Sequence, residues 1–163
     1  MVALEIEDLK EFTSRLFVGE AFDACLLVEA RFATFGIFEI DGTVQKDYFN
    51  SGEMEEKRIG AYVRWSAVKP FCYFLIKGKR LPVSFKIVFK LSPAAVERFL
   101  ADRGIPMAPE RVEGLYMNIR YEGQKLTCVT GTSLKIFTLD KTLEQQWDAA
   151  VKGFLGNSAR EAT

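Results

Sequence analysis

The sequence predicts an α+β fold, a single domain over residues 1–156, from three features of its pattern. Short runs with strand alternation are interleaved with capped amphipathic stretches. Turn chemistry recurs at Asp41-Gly42, Glu122-Gly123 and Gly131-Thr132, separating apolar runs of strand length. The element order then repeats, as β-α-β-β-β, a helical insert, β-α-β-β-β and a final helix.

Each element follows from local chemistry. Val2 to Ile6 alternates as a strand does. Asp8 with Glu11 three residues later forms a capping-box signal, and Leu9, Phe12 and Leu16 give a short helix that ends near Gly19. Cys25 to Phe32 and Phe35 to Ile40 are rich in strand formers, with Asp41-Gly42 predicted as the hairpin turn and Thr43 to Phe49 as a third strand. The polar stretch 50–58 is a solvated loop or helix start rather than a cation site, despite Glu53, Glu55 and Glu56. Ser66 is the predicted cap of an apolar helix through Lys77, closed by Gly78.

Val83, Phe85, Ile87, Phe89 and Leu91 alternate as a strand, and Ser92-Pro93 opens a helix in the favoured manner, serine capping and proline first. Three strands follow: Gly114 to Tyr121, Lys125 to Val129 and Leu134 to Leu139. The last helix, 142–156, carries Leu143, Trp147, Ala150, Val151, Phe154 and Leu155 on one side, and residues 157–163 are expected to fray. Repeat one thus spans 1–49, the insert 50–81 and repeat two 82–139.

The repeat is tested in the residues themselves. A shift of 89 lays Gly131-Thr132 on Gly42-Thr43, Lys135 on Lys46, Met117 on Val28, Ile119 on Ala30, Tyr121 on Phe32 and Leu126 on Ile37. A shift of 87 lays Leu91 on Leu4, Val96 on Leu9 and Phe99 on Phe12. Strand periodicity alone also matches apolar to apolar, so duplication and shared periodicity both account for it.

Composition removes whole classes of chemistry. The chain of 163 residues has no histidine, which excludes Ser-His-Asp and Cys-His catalysis and His-ligated zinc within it. Lys plus Arg and Asp plus Glu are each 22, so no global basic character marks a nucleic-acid binder, and only a local patch can serve. The longest strongly apolar uncharged run, Pro70 to Ile76, is too short for a bilayer, and the acidic N-terminal residues do not suit a signal peptide. A cytoplasmic chain without a membrane partner is the expectation. Cys25, Cys72 and Cys128 lie far apart in an odd count, which predicts reduced core thiols.

Two β-α-β-β-β units with a Gly-Thr strand turn, as in the run from Leu126 to Phe137, resemble one domain of the DNA sliding clamps. That resemblance implies a pseudo-twofold, with two helices across one sheet face and basic side chains on them holding duplex phosphates. The helix-face candidates are then Lys10 and Arg15 on the first helix and Arg98 and Arg103 on the second, diluted by Glu11, Glu97 and Asp102. At whole-chain level, the runs from Arg120 to Lys135 and from Pro70 to Arg80 also resemble a domain of unknown function found in anaerobic Gram-positive bacteria. That resemblance supplies no site residues.

From the residues themselves, the better nucleic-acid candidate is Lys77-Gly78-Lys79-Arg80, with Arg64 and Lys69 upstream. Trp65, Phe71, Tyr73 and Phe74 are interleaved with them, as on a surface that stacks bases. The simpler account, which the sequence favours, puts those aromatics in the core and the lysines at a helix C-terminus.

Three function classes follow: a non-enzymatic binding module, associated with DNA; a protein-interaction or homo-oligomerising module acting through a strand edge or the last helix; and a small enzyme. The enzyme would have to use Cys72 beside Lys69, or Glu39 with Asp41, and no acid-base-nucleophile constellation, cofactor fingerprint or metal motif accompanies them. The expectation is a non-enzyme without catalytic residues, cofactor or metal.

Overall fold

The structure is a computed structural model that describes residues 1–57 and 59–162. Seven antiparallel strands form one sheet: β1 (Ala3–Ile6), β2 (Leu26–Ala33), β3 (Ile37–Asp41), β4 (Ser84–Lys90), β5 (Val112–Glu122), β6 (Lys125–Leu134) and β7 (Ala159–Glu161), in the spatial order β3-β2-β4-β5-β6-β1-β7. The helices are α1 (Leu9–Phe17), α2 (Ser51–Glu56), α3 (Trp65–Ile76), α4 (Pro93–Asp102) and α5 (Thr142–Leu155).

Local signals place the helix starts well. The Asp8 carboxylate accepts from the Glu11 N–H and the Ser92 hydroxyl accepts from the Ala95 N–H. In the insert, Asn50 and Glu53 complete a reciprocal capping box for α2, while Arg58 lies outside the described residues. Ser66 does not cap α3. The chain stays extended through Arg64, which bridges Leu26, and the first α3 amides find the carbonyls of Cys25 and Asp23 instead.

One face of the sheet holds the core. Leu27, Phe32, Phe85, Ile87, Phe89, Ile119 and Cys128 pack against Phe12, Leu16, Trp65, Leu100, Trp147 and Val151 of α1, α3, α4 and α5. Phenylalanine dominates here: Phe32 stacks on Phe85, which stacks on Tyr121, and Phe89 lies edge-on to Trp65. The Trp65 indole N–H donates to the Leu16 carbonyl at 2.8 Å, tying α3 to α1. The opposite face carries Glu39, Arg31, Lys86, Arg120, Thr127, Glu5 and Arg160 in one register row from β3 across to β7. None of these seven is buried.

Several expectations need correction. Asp41-Gly42 is not the hairpin turn; β2 and β3 are joined through Thr34, Phe35 and Gly36, and the Thr34 N–H bonds the Gly36 carbonyl. Thr43 to Phe49 is no third strand, since it contains one bridge, Thr43 to Tyr62, and a 3-10 turn at Lys46–Tyr48. Gly131-Thr132 is not a turn either. β6 runs through it to Leu134, and Leu134 to Leu139 is no separate strand. The tail is ordered through Glu161, with β7 adding to β1 as an edge strand.

Both halves are therefore β-α-β-β, and their pairings do not obey a twofold. Exchange of the halves maps β1, β2 and β3 onto β4, β5 and β6. Under it the hairpins β2–β3 and β5–β6 correspond, but β4–β5 has no β1–β2 counterpart and β2–β4 no β5–β1 counterpart. The aligned pairs Ala30/Ile119 and Phe32/Tyr121 are all buried, whereas Leu126 is 2% exposed and its partner Ile37 is 60% exposed. Shared periodicity accounts for the match.

Gly42 has its own reason. A Cβ there would lie 1.7 Å from the Leu27 carbonyl oxygen, because the chain leaving β3 crosses tightly over β2 at its bulge. Beyond the crossing Val63 replaces β3 beside β2, its carbonyl accepting from the Leu27 N–H and its own N–H reaching the Gly42 carbonyl.

Candidate functional site

The best-defined candidate surface is the outer side of α3 and the loop after it. α3 is apolar on nearly all sides, so the sequence does not say which side it buries. Trp65 and Cys72 face the core. The opposite side leaves Phe71 69%, Phe74 68% and Tyr73 42% exposed, contrary to the simpler expectation that these aromatics are core. Phe71 and Phe74 are one turn apart on the helix, and the Lys77 ammonium sits 4.7 Å from the Phe74 ring centroid. Gly78, at φ 120°, turns the chain so that Lys79 and Arg80 follow, both exposed.

The candidate cations divide sharply in use. Lys77, Lys79 and Arg80 enter no ion pair among the described residues, and neither does Arg64, exposed at the start of α3. Lys69 is committed inside the fold, its ammonium bonding the Asp23 carboxylate at 2.7 Å and the Gly19 carbonyl at 2.8 Å. It fastens α3 to the loop before β2 and is not free to hold a ligand.

The helix-face set does not form a common surface. Arg15 donates to the Phe154 carbonyl and lies over the Phe154 ring, and Arg103 donates to Gln146 and lies over Phe99. Phe154 and Gln146 both belong to α5, which therefore engages α1 and α4 alike. Lys10 and Arg98 remain exposed on their own helices.

The catalytic candidates are not brought together into an acid–base–nucleophile set among the described residues. Cys72 is fully buried, and burial pushes its thiol up to about 12; Cys25 and Cys128, also buried and unpaired, rise to about 11 and about 12. Such thiols stay protonated and unreactive near neutrality. Glu39 pairs with Arg31 at 3.3 Å, and Asp41 accepts from Thr43, which holds its carboxyl below the usual range. Both do line an open polar cavity of about 410 Å³ with Glu29, Arg31 and Lys86, where the acids and bases largely neutralise each other. Among the described residues no three metal-ligating side chains come together, and no helix is long and apolar enough to cross a membrane. The last helix turns Leu143, Trp147, Val151 and Leu155 into the core and leaves Phe154 39% exposed beneath the Arg15 guanidinium.

A model of DUF5721, a family of unknown function, matches residues 15–161. The chain belongs to this family. Searches of the curated proteins and of the solved structures found no match. The DUF5721 match spans the whole candidate surface, so α3 and its basic loop are part of the family domain.

One sequence signal for this surface was overlooked by whole-chain charge counting. From residue 57 to 96 the DUF5721 chain has Lys57, Arg58, Arg64, Lys69, Lys77, Lys79, Arg80, Lys86 and Lys90, and no aspartate or glutamate. A balanced total thus conceals a strongly basic segment.

Proposed function

We propose that this domain is a non-enzymatic module that binds single-stranded nucleic acid through the outer side of α3. The observation that carries the reading is the exposure of Phe71, Tyr73 and Phe74 beside Lys77, Lys79 and Arg80, on a segment without acids. Single-strand binders combine aromatic faces, which stack bases without regard to sequence, with cations that follow the phosphates. A duplex keeps its bases stacked inside, so exposed phenylalanines favour an unpaired strand over the clamp-like hold on duplex DNA. The sheet pairings and the position of α5 on α1 and α4 argue for the same choice.

Fluorescence anisotropy with a short labelled single strand and its matching duplex tests the reading. Salt-sensitive binding of the single strand, weaker for the duplex, is the expected result. Equal indifference to both overturns it.

A second reading rests on a different corner of the molecule. Phe35, Ile37 and Val83 are exposed around Ala33 at the β3 edge, an apolar strand margin that suits a protein partner or a second copy. Light scattering of the parent chain and an Ile37→Lys variant measures whether this edge associates.

A further inference from the structure

A separate cavity of about 460 Å³ lies where the insert meets the ends of β2 and β4. The insert is pinned there by backbone bonds, from the Val44 N–H to the Ala61 carbonyl and from the Leu27 N–H to the Val63 carbonyl. Its apolar wall is built from Leu26, Val44, Phe49, Ile59, Val63 and Pro93. Lys90 and Arg64 stand at its polar side with Tyr62, Ser92 and Lys57, the last paired with Glu53 at 3.9 Å, and no carboxylate of the described residues lines it.

The charges in this cavity are unbalanced, unlike those of the polar cavity on the sheet. The Lys90 ammonium rests between two rings, 5.4 Å from Tyr62 and 5.6 Å from Tyr116, and enters no ion pair among the described residues, although Glu97, Glu110 and Glu113 line a neighbouring cavity that it also borders. Ring faces hold a cation while leaving its charge available to an entering anion. α3 and α4 both begin at the cavity wall, Ser66 and Ala67 from one and Pro93 from the other. The volume suits a small organic ligand, and the wall suits an apolar body.

We propose that this cavity binds a small amphiphilic anion, its acidic head at Lys90 and Arg64 and its apolar body against Val44, Phe49 and Ile59. A cation or zwitterion is disfavoured by the uncompensated positive side, and a bare inorganic anion leaves the apolar wall unused. This site is distinct from the α3 surface and stands whether or not nucleic acid binds there.

The probe for an aromatic body is 8-anilinonaphthalene-1-sulfonate, followed by its fluorescence, and decanoate as competitor represents an aliphatic body. Expected are one saturable dye site per chain, at least tenfold weaker binding in Lys90→Gln, loss of binding in Ala61→Phe, and no change in the Phe71→Ala/Phe74→Ala variant. Competition by decanoate identifies an aliphatic ligand; dye binding without it identifies an aromatic acid. Circular dichroism confirms that each variant is folded. Should a variant fail to fold, the melting temperature of the parent chain decides, rising with decanoate or with an aromatic sulfonate such as naphthalene-1-sulfonate and not with decanol or decylamine. Dye binding unaffected by Lys90→Gln and Ala61→Phe, dye binding removed with Phe71 and Phe74, or equal protection by decanol overturns the proposal.

Discussion

Replacing Lys77, Lys79 and Arg80 together by glutamine separates an electrostatic interface from a merely basic loop. Each cation that touches a phosphate of a single strand contributes about −0.7 to the slope of log affinity against log salt, so three contribute about −2. Between 50 and 200 mM salt that difference amounts to roughly a 20-fold loss of affinity in the parent chain that the triple variant does not suffer. The aromatic component behaves oppositely. Phe71→Ala and Phe74→Ala each remove one stacking face, costing about 1–3 kcal/mol of binding while leaving the salt slope unchanged. Both phenylalanines are more than two-thirds exposed, so truncation changes folding stability by no more than about 0.5 kcal/mol, and lost binding is not lost fold. Anisotropy titrations at four salt concentrations, with urea melts of each variant, give all these quantities. A triple variant with the parent's slope, or phenylalanine variants that bind like the parent, refutes the reasoning.

Three further predictions concern the framework. Trp65→Phe deletes the indole donor and strands the buried Leu16 carbonyl, costing about 1–3 kcal/mol in a urea melt, whereas Phe71→Ala on the same helix costs almost nothing. Gly42→Ala forces a methyl group into the Leu27 carbonyl; a loss of about 3 kcal/mol is expected, with faster proteolysis of the insert because Gly42 also bonds Val63. The three thiols predict alkaline sensitivity. They ionise near pH 9 in the unfolded chain, but the folded chain retains those protons up to about 11 for Cys25 and about 12 for Cys72 and Cys128. The folded state thus binds more protons between these limits, so stability is constant below pH 9 on this account and falls as pH rises through the window. Iodoacetamide at pH 8 should leave all three unlabelled until urea is added.

What the sequence determined alone was whatever depends on neighbours within a turn or two. The Asp8 and Ser92 caps, the Glu122-Gly123 turn and the alternation of Phe85, Ile87 and Phe89 are written in residue types at fixed short spacing, and they fold as written. The lack of histidine likewise limits the chemistry whatever the fold. Tertiary structure decided what depends on distant partners. Asp41-Gly42 has ideal turn chemistry, yet Gly42 is needed for a crossing against Leu27, which only the neighbouring strand reveals. Gly131-Thr132 likewise continues β6 because β5 runs alongside and supplies the ladder. The side α3 turns to solvent was undecided by its own sequence, since apolar residues surround its axis; the Trp65 bond to α1 and the Lys69 bond to Asp23 set the rotation, and that rotation exposes Phe71 and Phe74.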